Sequence, residues 1–330
     1  MTSVANLSLS GINRIALAAT IWGSIGVFAR AIDAHPAVIV FWRILFAAVA
    51  IAAVSAGAKR LFAFFALSRR KQTAVAAMGS LLALNWILFM GALQLVDVAV
   101  AVLLAYCGPI FVAALTPFVM REAFDRRVIV PLLIGLTGTT IIIAPKGLEI
   151  AGGTQMLGAG MAFASAITYA ALILNTKRLL KGIPVTTYML GQYVAATILL
   201  LPAVFLLDGP SAPIEWGALL VLGVVHTALT GLLFLSGLRK VRPDHAAIIT
   251  YAEPLSAVVF AAAFLGEGLT VWVALGGLAI VVGGIMVAKM RSEATVEGPP
   301  LLLDQPEETD PIRENTSYKP HSKPPDGGDA

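Results

Sequence analysis

Two charged side chains stand inside long apolar runs of this 330-residue chain, and each offers a distinct chemistry. Glu253 lies in Thr250-Tyr251-Ala252-Glu253-Pro254, within the ninth run, and Arg43 lies within the second. A carboxylate in hydrocarbon either binds an amine or a proton, or satisfies backbone groups released by the adjacent proline. A guanidinium at the centre of a span costs about 2.5 to 3.5 kcal/mol, so it must face protein or water. Arg43 therefore either meets a carboxylate solute or clamps carbonyls of broken helices. Leu81, Asn85 and Phe89 recur every four residues in the third run, and His226, Thr230 and Phe234 do the same in the eighth. Polar groups at that depth face the bundle interior, either as helix-to-helix hydrogen bonds or as the wall of a solute cavity. No nucleophile elbow, phosphate loop, metal-ligand pair or zinc-peptidase motif occurs, so neither an enzyme nor a metal or cofactor site is expected.

The elements that carry these residues are duplicated. At an offset of 145, Phe89, Leu93, Tyr106, Pro109, Glu122 and Gly138 recur as Phe234, Leu238, Tyr251, Pro254, Glu267 and Gly283. The same register sets Asn85 against Thr230, Leu81 against His226, and Gly108 against Glu253. The fold would thus reside in the matches and the chemistry in the mismatches. Before residue 86 the match weakens: an offset of 141 sets Trp22, Ser24 and Phe28 over Phe163, Ser165 and Tyr169, and one of 149 sets Arg43 over Gln192. Pro109 and Pro254 are expected to kink their helices near mid-membrane, with Tyr106 and Tyr251 on nearly the same face. Glu122 and Glu267 fall at run ends, where an acid suits the N-terminus of the next helix.

Composition sets the class. The chain is 58% hydrophobic and 13% charged, about half the charge of a soluble domain, with mean hydropathy +0.87. Ten apolar runs, near 12–32, 36–56, 73–95, 98–119, 127–144, 155–176, 185–207, 214–238, 244–265 and 270–290, are each about long enough to cross a bilayer as a helix. The expected class is an all-α polytopic membrane protein.

The connections alternate in charge. Lys59, Arg60, Arg69, Arg70 and Lys71 lie in the second, and Arg121, Arg126 and Arg127 in the fourth. Lys177, Arg178 and Lys181 lie in the sixth, and Arg239, Lys240 and Arg242 in the eighth, against only Arg30 and Lys146 in the odd-numbered ones. This is the positive-inside pattern, with both termini cytoplasmic. The basic charge is topological and does not mark a nucleic-acid surface. Because each repeat holds five helices, an odd number, the second enters from the opposite side, which makes the repeats inverted.

The expected domains are a first repeat at 1–150, a second at 151–291, and a disordered cytoplasmic tail at 292–330, rich in proline and mixed charge. The lone Cys107 permits no intramolecular disulfide. Rows of small residues, such as Gly158, Ala162, Ala166 and Ala170, or Gly276, Gly277, Gly283 and Gly284, permit close helix contact, the last span being a candidate dimer face.

Trp22-Gly23-Ser24, Phe41-Trp42-Arg43, and Tyr251-Ala252-Glu253-Pro254-Leu255 running on to Gly266-Glu267 together resemble the drug/metabolite transporter superfamily, in its ten-helix branch with two EamA-type repeats. The resemblance covers roughly residues 1–290, and Tyr106-Cys107-Gly108-Pro109 departs from it by lacking the acid. It implies a carrier of the bacterial inner membrane, monomeric or homodimeric, whose partners are a small-molecule solute and the lipid bilayer. It is closest to the amino-acid exporters. The expected activity is alternating-access export of amino acids or related metabolites. An importer of a vitamin or other metabolite, or a channel-like facilitator, are the alternatives. The solute is expected to meet Trp22, Asn85, Phe89, Tyr106, Phe163, Tyr169, His226, Thr230, Tyr251 and Glu253, with Arg43, Pro109, Gln192 and Pro254 structural or gating.

Overall fold

The computed structural model describes residues 10–58, 60–96, 98–121, 123–146, 153–266 and 270–296. Ten helices there are long and apolar enough to cross a bilayer, and no strand occurs among the described residues. The first five spans are Gly11–Ala29, Pro36–Gly57, Arg69–Leu95, Val100–Met120 and Arg126–Ile143. The second five are Thr154–Leu179, Val185–Leu206, Pro213–Leu238, Pro243–Phe264 and Val271–Met290. The third starts earlier than its hydropathy suggests, so Arg69, Arg70 and Lys71 sit in its first turn. The last helix continues to Val296, past residue 292 where the composition change places the start of the tail. Glu122, Glu267 and residues 297–330 lie outside the described residues.

Packing follows the duplication. The third and fourth spans pack against the sixth, and their counterparts, the eighth and ninth, pack against the first. The second packs against the seventh, the fourth against the ninth, and the fifth against the tenth. Each of these last pairs joins a helix to its own copy, which locates the pseudo-two-fold axis. Residues of the 145 register meet along it. Tyr106 and Tyr251 stack with ring centroids 6.0 Å apart. Arg121 and Gly266, also 145 apart, end the fourth and ninth helical stretches in the same left-handed conformation, with φ of 57° and 69°.

Proline at 109 and 254 does more than kink its span. The fourth span is divided into helices Val98–Ala105 and Gly108–Met120, and the ninth into Pro243–Ile249 and Ala252–Leu265. Pro109 sits at the start of the second helix, where its missing N–H costs nothing and its fixed φ suits the first turn. The first span is also interrupted, after Trp22, and the eighth contains a π-helical turn, Val224–Leu229. The third and sixth spans, counterparts of the eighth and first, are unbroken helices. The symmetry is thus one of packing, and local backbone geometry departs from it.

The fifth and tenth spans cross almost backbone to backbone. A Cβ on Gly138 would lie 2.6 Å from the Gly276 carbonyl oxygen, and one on Gly276 would lie 2.4 Å from that of Gly138. Gly283, the register partner of Gly138, makes the matching approach to the Pro131 carbonyl at 3.0 Å. Gly276→Ala should therefore destabilise the protein by roughly 1–3 kcal/mol, the range for overpacking. Gly284→Ala, where a Cβ meets nothing within 4 Å, should leave the melting temperature of detergent-purified protein unchanged.

Candidate functional site

A cavity of about 290 Å³ lies between the third, fourth and sixth spans on one side and the first, eighth and ninth on the other. That volume falls near the lower end of the range for small-molecule pockets, about 300–1,000 Å³. The second and seventh spans close it with Arg43, Gln192 and Tyr193. Each helix contributes residues at helical spacing: Leu82, Asn85, Trp86, Phe89 and Met90 from the third, and Ser165, Tyr169, Leu172, Ile173 and Thr176 from the sixth. Of the ten residues expected to meet solute, Trp22, Asn85, Phe89, Tyr106, Tyr169, His226 and Glu253 line this space. Arg43, Pro109 and Gln192 line it too.

Three expected wall residues are placed elsewhere. Phe163 is 43% exposed on the outer face of the sixth span, in edge contact with Phe111. It stands two residues before Ser165, so on a 3.6-residue helix it points about 200° away from the cavity face. The offset of 141 is therefore incorrect for this helix pair. Cavity-facing Trp22 and Ile25 are matched by Tyr169 and Leu172, an offset of 147 in both cases. Thr230 is fully buried behind the wall, donating to the His226 carbonyl at 2.7 Å and accepting from Trp22 Nε1 at 2.8 Å. Tyr251 is also buried, its hydroxyl donating to the Tyr106 carbonyl at 3.1 Å.

One polar cluster is organised by the π-helical turn. The wider turn aims the His226 carbonyl sideways, where it accepts from Trp22 Nε1 at 3.0 Å and Arg43 Nη2 at 3.4 Å, besides Thr230. The His226 ring meets the Ser24 hydroxyl at 2.7 Å through Nε2 and the Val221 carbonyl at 3.3 Å through Nδ1. Arg43 also donates from Nε to Thr227 Oγ1 at 2.7 Å, and its guanidinium lies over Trp86, 4.2 Å from the ring centroid. Such stacking of a desolvated cation on indole contributes about 2 kcal/mol. Gln192 makes the counterpart contact in the other repeat, Nε2 donating to the Met78 carbonyl at 3.3 Å. Arg43 ties the second span to the eighth, and Gln192 ties the seventh to the third. The 149 register between them is spatial as well as sequential.

Another part of the cavity wall is acidic and aromatic. Glu253 is half-buried, in the first turn of the helix that resumes after the break in the ninth span. The Tyr106 hydroxyl lies beside its carboxyl group, and Arg43 is the cation that interacts with it across the site. Tyr169 reaches Thr250 at 3.4 Å. At Gly108, the register partner of Glu253, a Cβ would fall 2.8 Å from the Tyr169 ring, so the first repeat has no room for an acid there. Asn85 ties the third span to the sixth, donating to the Ser165 carbonyl at 2.7 Å and Thr168 Oγ1 at 2.9 Å.

Trp86, Tyr193 and Thr227 belong to the site and escaped the sequence reading. Trp86 is signalled by its place at 82, 85, 86, 89 and 90 on one helical face. Thr227 carried no signal, because only the π turn rotates it toward Arg43. Pro254 is buried and does not border the cavity. No cluster of metal-ligating side chains occurs among the described residues.

Comparison with known proteins agrees with this architecture. The EamA-like transporter family matches residues 9–144 and again 156–289, one match for each set of five spans. A protein of Archaeoglobus fulgidus described as an uncharacterized transporter is 29% identical over 280 residues, covering 83% of this chain and 94% of that one. The Bacillus subtilis transporter YxxF is 27% identical over 239 residues, covering 70% of this chain and 75% of its own. A solved crystal structure superimposes with a TM-score of 0.74 at 17% identity, over 85% of this chain and 98% of that one, a likeness of fold alone.

The clamp at Arg43 is testable apart from any solute. Lysine cannot reproduce both the Nε bond to Thr227 and the planar stacking on Trp86. Arg43→Lys should cost roughly 1.5–3 kcal/mol, the value of a charged hydrogen bond, read as a lower melting temperature in detergent. An unchanged melt would show that the clamp contributes nothing to stability.

Proposed function

The chain belongs to the EamA-like transporter family, and from that premise we propose that it exports amino acids or related small zwitterions across the bacterial inner membrane by alternating access. The supporting observation is that one cavity is lined by both a cation and an acid, Arg43 and Glu253. Arg43 stands where the second and seventh spans meet, and Glu253 where the fourth and ninth meet. A zwitterion bridging them would lie along the pseudo-two-fold axis, its carboxylate toward Arg43 and its ammonium toward Glu253 and the ring faces of Tyr106 and Tyr169. The remaining wall, with Trp22, Trp86, Phe89 and Phe234, is apolar and aromatic and suits an uncharged side chain.

In this reading the two halves of the cavity wall move as bodies. One comprises the third, fourth and sixth spans, the other the first, eighth and ninth. Rocking one against the other exposes the same site to either side, as expected for inverted repeats. The breaks beside Pro109 and Pro254 are places where backbone angles can change without unwinding a continuous helix. The alternating loop charges support a cytoplasmic side for both termini. The domain limits expected above, with a cytoplasmic tail, are part of the same proposal.

Counterflow in proteoliposomes against a panel of amino acids, sugars, nucleosides and vitamins tests the substrate class. Amino acids should exchange and sugars should not; exchange confined to uncharged solutes would overturn the zwitterion reading. Glu253→Gln should weaken apparent affinity for amine-bearing solutes about tenfold or more, the equivalent of one charged hydrogen bond. Tyr106→Ala should reduce transport without loss of folded protein.

A further inference from the structure

The two halves of the cavity wall are joined at one end by contacts that do not line the cavity. Lys177 occupies the last turn of the sixth span, next to cavity-lining Thr176. Its ammonium donates to three carbonyls, Leu238 at 2.7 Å, Arg239 at 2.8 Å and Val241 at 2.9 Å. Those carbonyls form the C-terminal end of the eighth span and the connection that follows. A helix terminus of this kind carries partial negative charge and four carbonyls without partners in the helix. The sixth span packs against the third and fourth, and the eighth against the first and second, so this grip adds to the contact of the fourth span with the ninth in joining the two groups. A second approach runs the same way: Asp125, in the connection after the fourth span, lies 3.9 Å from His245 at the start of the ninth.

All these positions share one side of the membrane. Lys177 ends the sixth span, Val241 lies between the eighth and ninth, and Asp125 between the fourth and fifth. These even-numbered connections are the basic ones.

We propose that Lys177 is a latch that shuts the cavity at the basic-side mouth, and that its release is required for the cavity to open there. The inference rests on the transporter reading. The chemistry suits a reversible contact. The bond to Arg239 is exposed and the other two are partly buried, so on release both the ammonium and the carbonyls exchange protein partners for water. Such exchanges are worth little individually, yet three on one ammonium hold a defined geometry. Lysine reaches the carbonyls on a flexible stem and leaves them without dragging its helix. The latch biases the equilibrium between closed and open mouths without contributing to solute binding.

Spin labels at Lys181→Cys and Lys240→Cys, both exposed, report the separation of the two tips. The single native cysteine, Cys107, is replaced by serine. Pulsed-dipolar distances in liposomes should show mainly the short separation in the Lys177 protein. Lys177→Met should raise the long-separation population about tenfold, the change that ~1.4 kcal/mol makes in a population ratio. Lys177→Arg should restore the short one. Identical distributions for Met and Lys at 177 would overturn the latch. This readout needs no solute, so its failure is separate from failure of the transporter reading. The second arm leaves Lys177 in place: joining the same two cysteines with a short bis-maleimide should abolish counterflow. Undiminished counterflow after complete cross-linking would equally overturn the proposal.

Discussion

A carbonyl released by a broken helix inside a bilayer has no water to bind, and in this fold two such carbonyls are bound from the other repeat. The break in the fourth span leaves the Tyr106 carbonyl to the Tyr251 hydroxyl of the other repeat. The π turn of the eighth leaves the His226 carbonyl to Trp22 and Arg43, again from the other repeat. The irregular backbone that shapes the cavity is therefore supported in part by the other repeat. This links folding to function: Trp22 and Arg43, which hold the halves together, also border the solute space.

Close helix approach supplies the other half of the framework. Gly138 and Gly276 let the fifth and tenth spans cross at backbone distance, and Gly23 does the same for the first against Ser256 of the ninth. Gly79 does so for the third against Gln192 of the seventh, and Gly223 for the eighth against Arg43 of the second. Small residues stand where helices must touch, and Trp, Tyr and Phe line the space that is kept.

Much of this was legible in the residues. The 145 register located the axis, because Tyr106 and Tyr251 meet on it. Loop charge alternation and an odd helix count implied the inverted pairing seen between the spans. Helix faces were less legible. Phe163 was matched to Trp22 by residue type, yet the cavity-facing counterpart is Tyr169, six residues on and so on another face of the helix. A register established in one helix pair does not carry through connections of different length, and an error of a few residues turns an aromatic from wall to lipid face. The π turn left no trace in hydropathy, since adding a residue to a turn keeps the same apolar composition. Its consequence, that Thr227 and the His226 carbonyl both face Arg43, follows from backbone geometry alone.

The axis also explains where the copies differ. A residue near it stands close to its own counterpart, so identical charges in both repeats would face each other in a medium of low dielectric constant. Two such carboxylates cannot both ionise without a large penalty, and two guanidinium groups would repel in the same way. A duplicated carrier that requires charge in its cavity must place it in one copy and something neutral in the other. Gly108 opposite Glu253 and Gln192 opposite Arg43 follow that rule. Gln192 keeps the hydrogen bond that its position requires and omits the charge. Gly108 goes further, yielding its side-chain volume to the Tyr169 ring. The acid and the base thus come from different repeats and line one cavity, so the broken symmetry gives the site a direction that two identical halves could not.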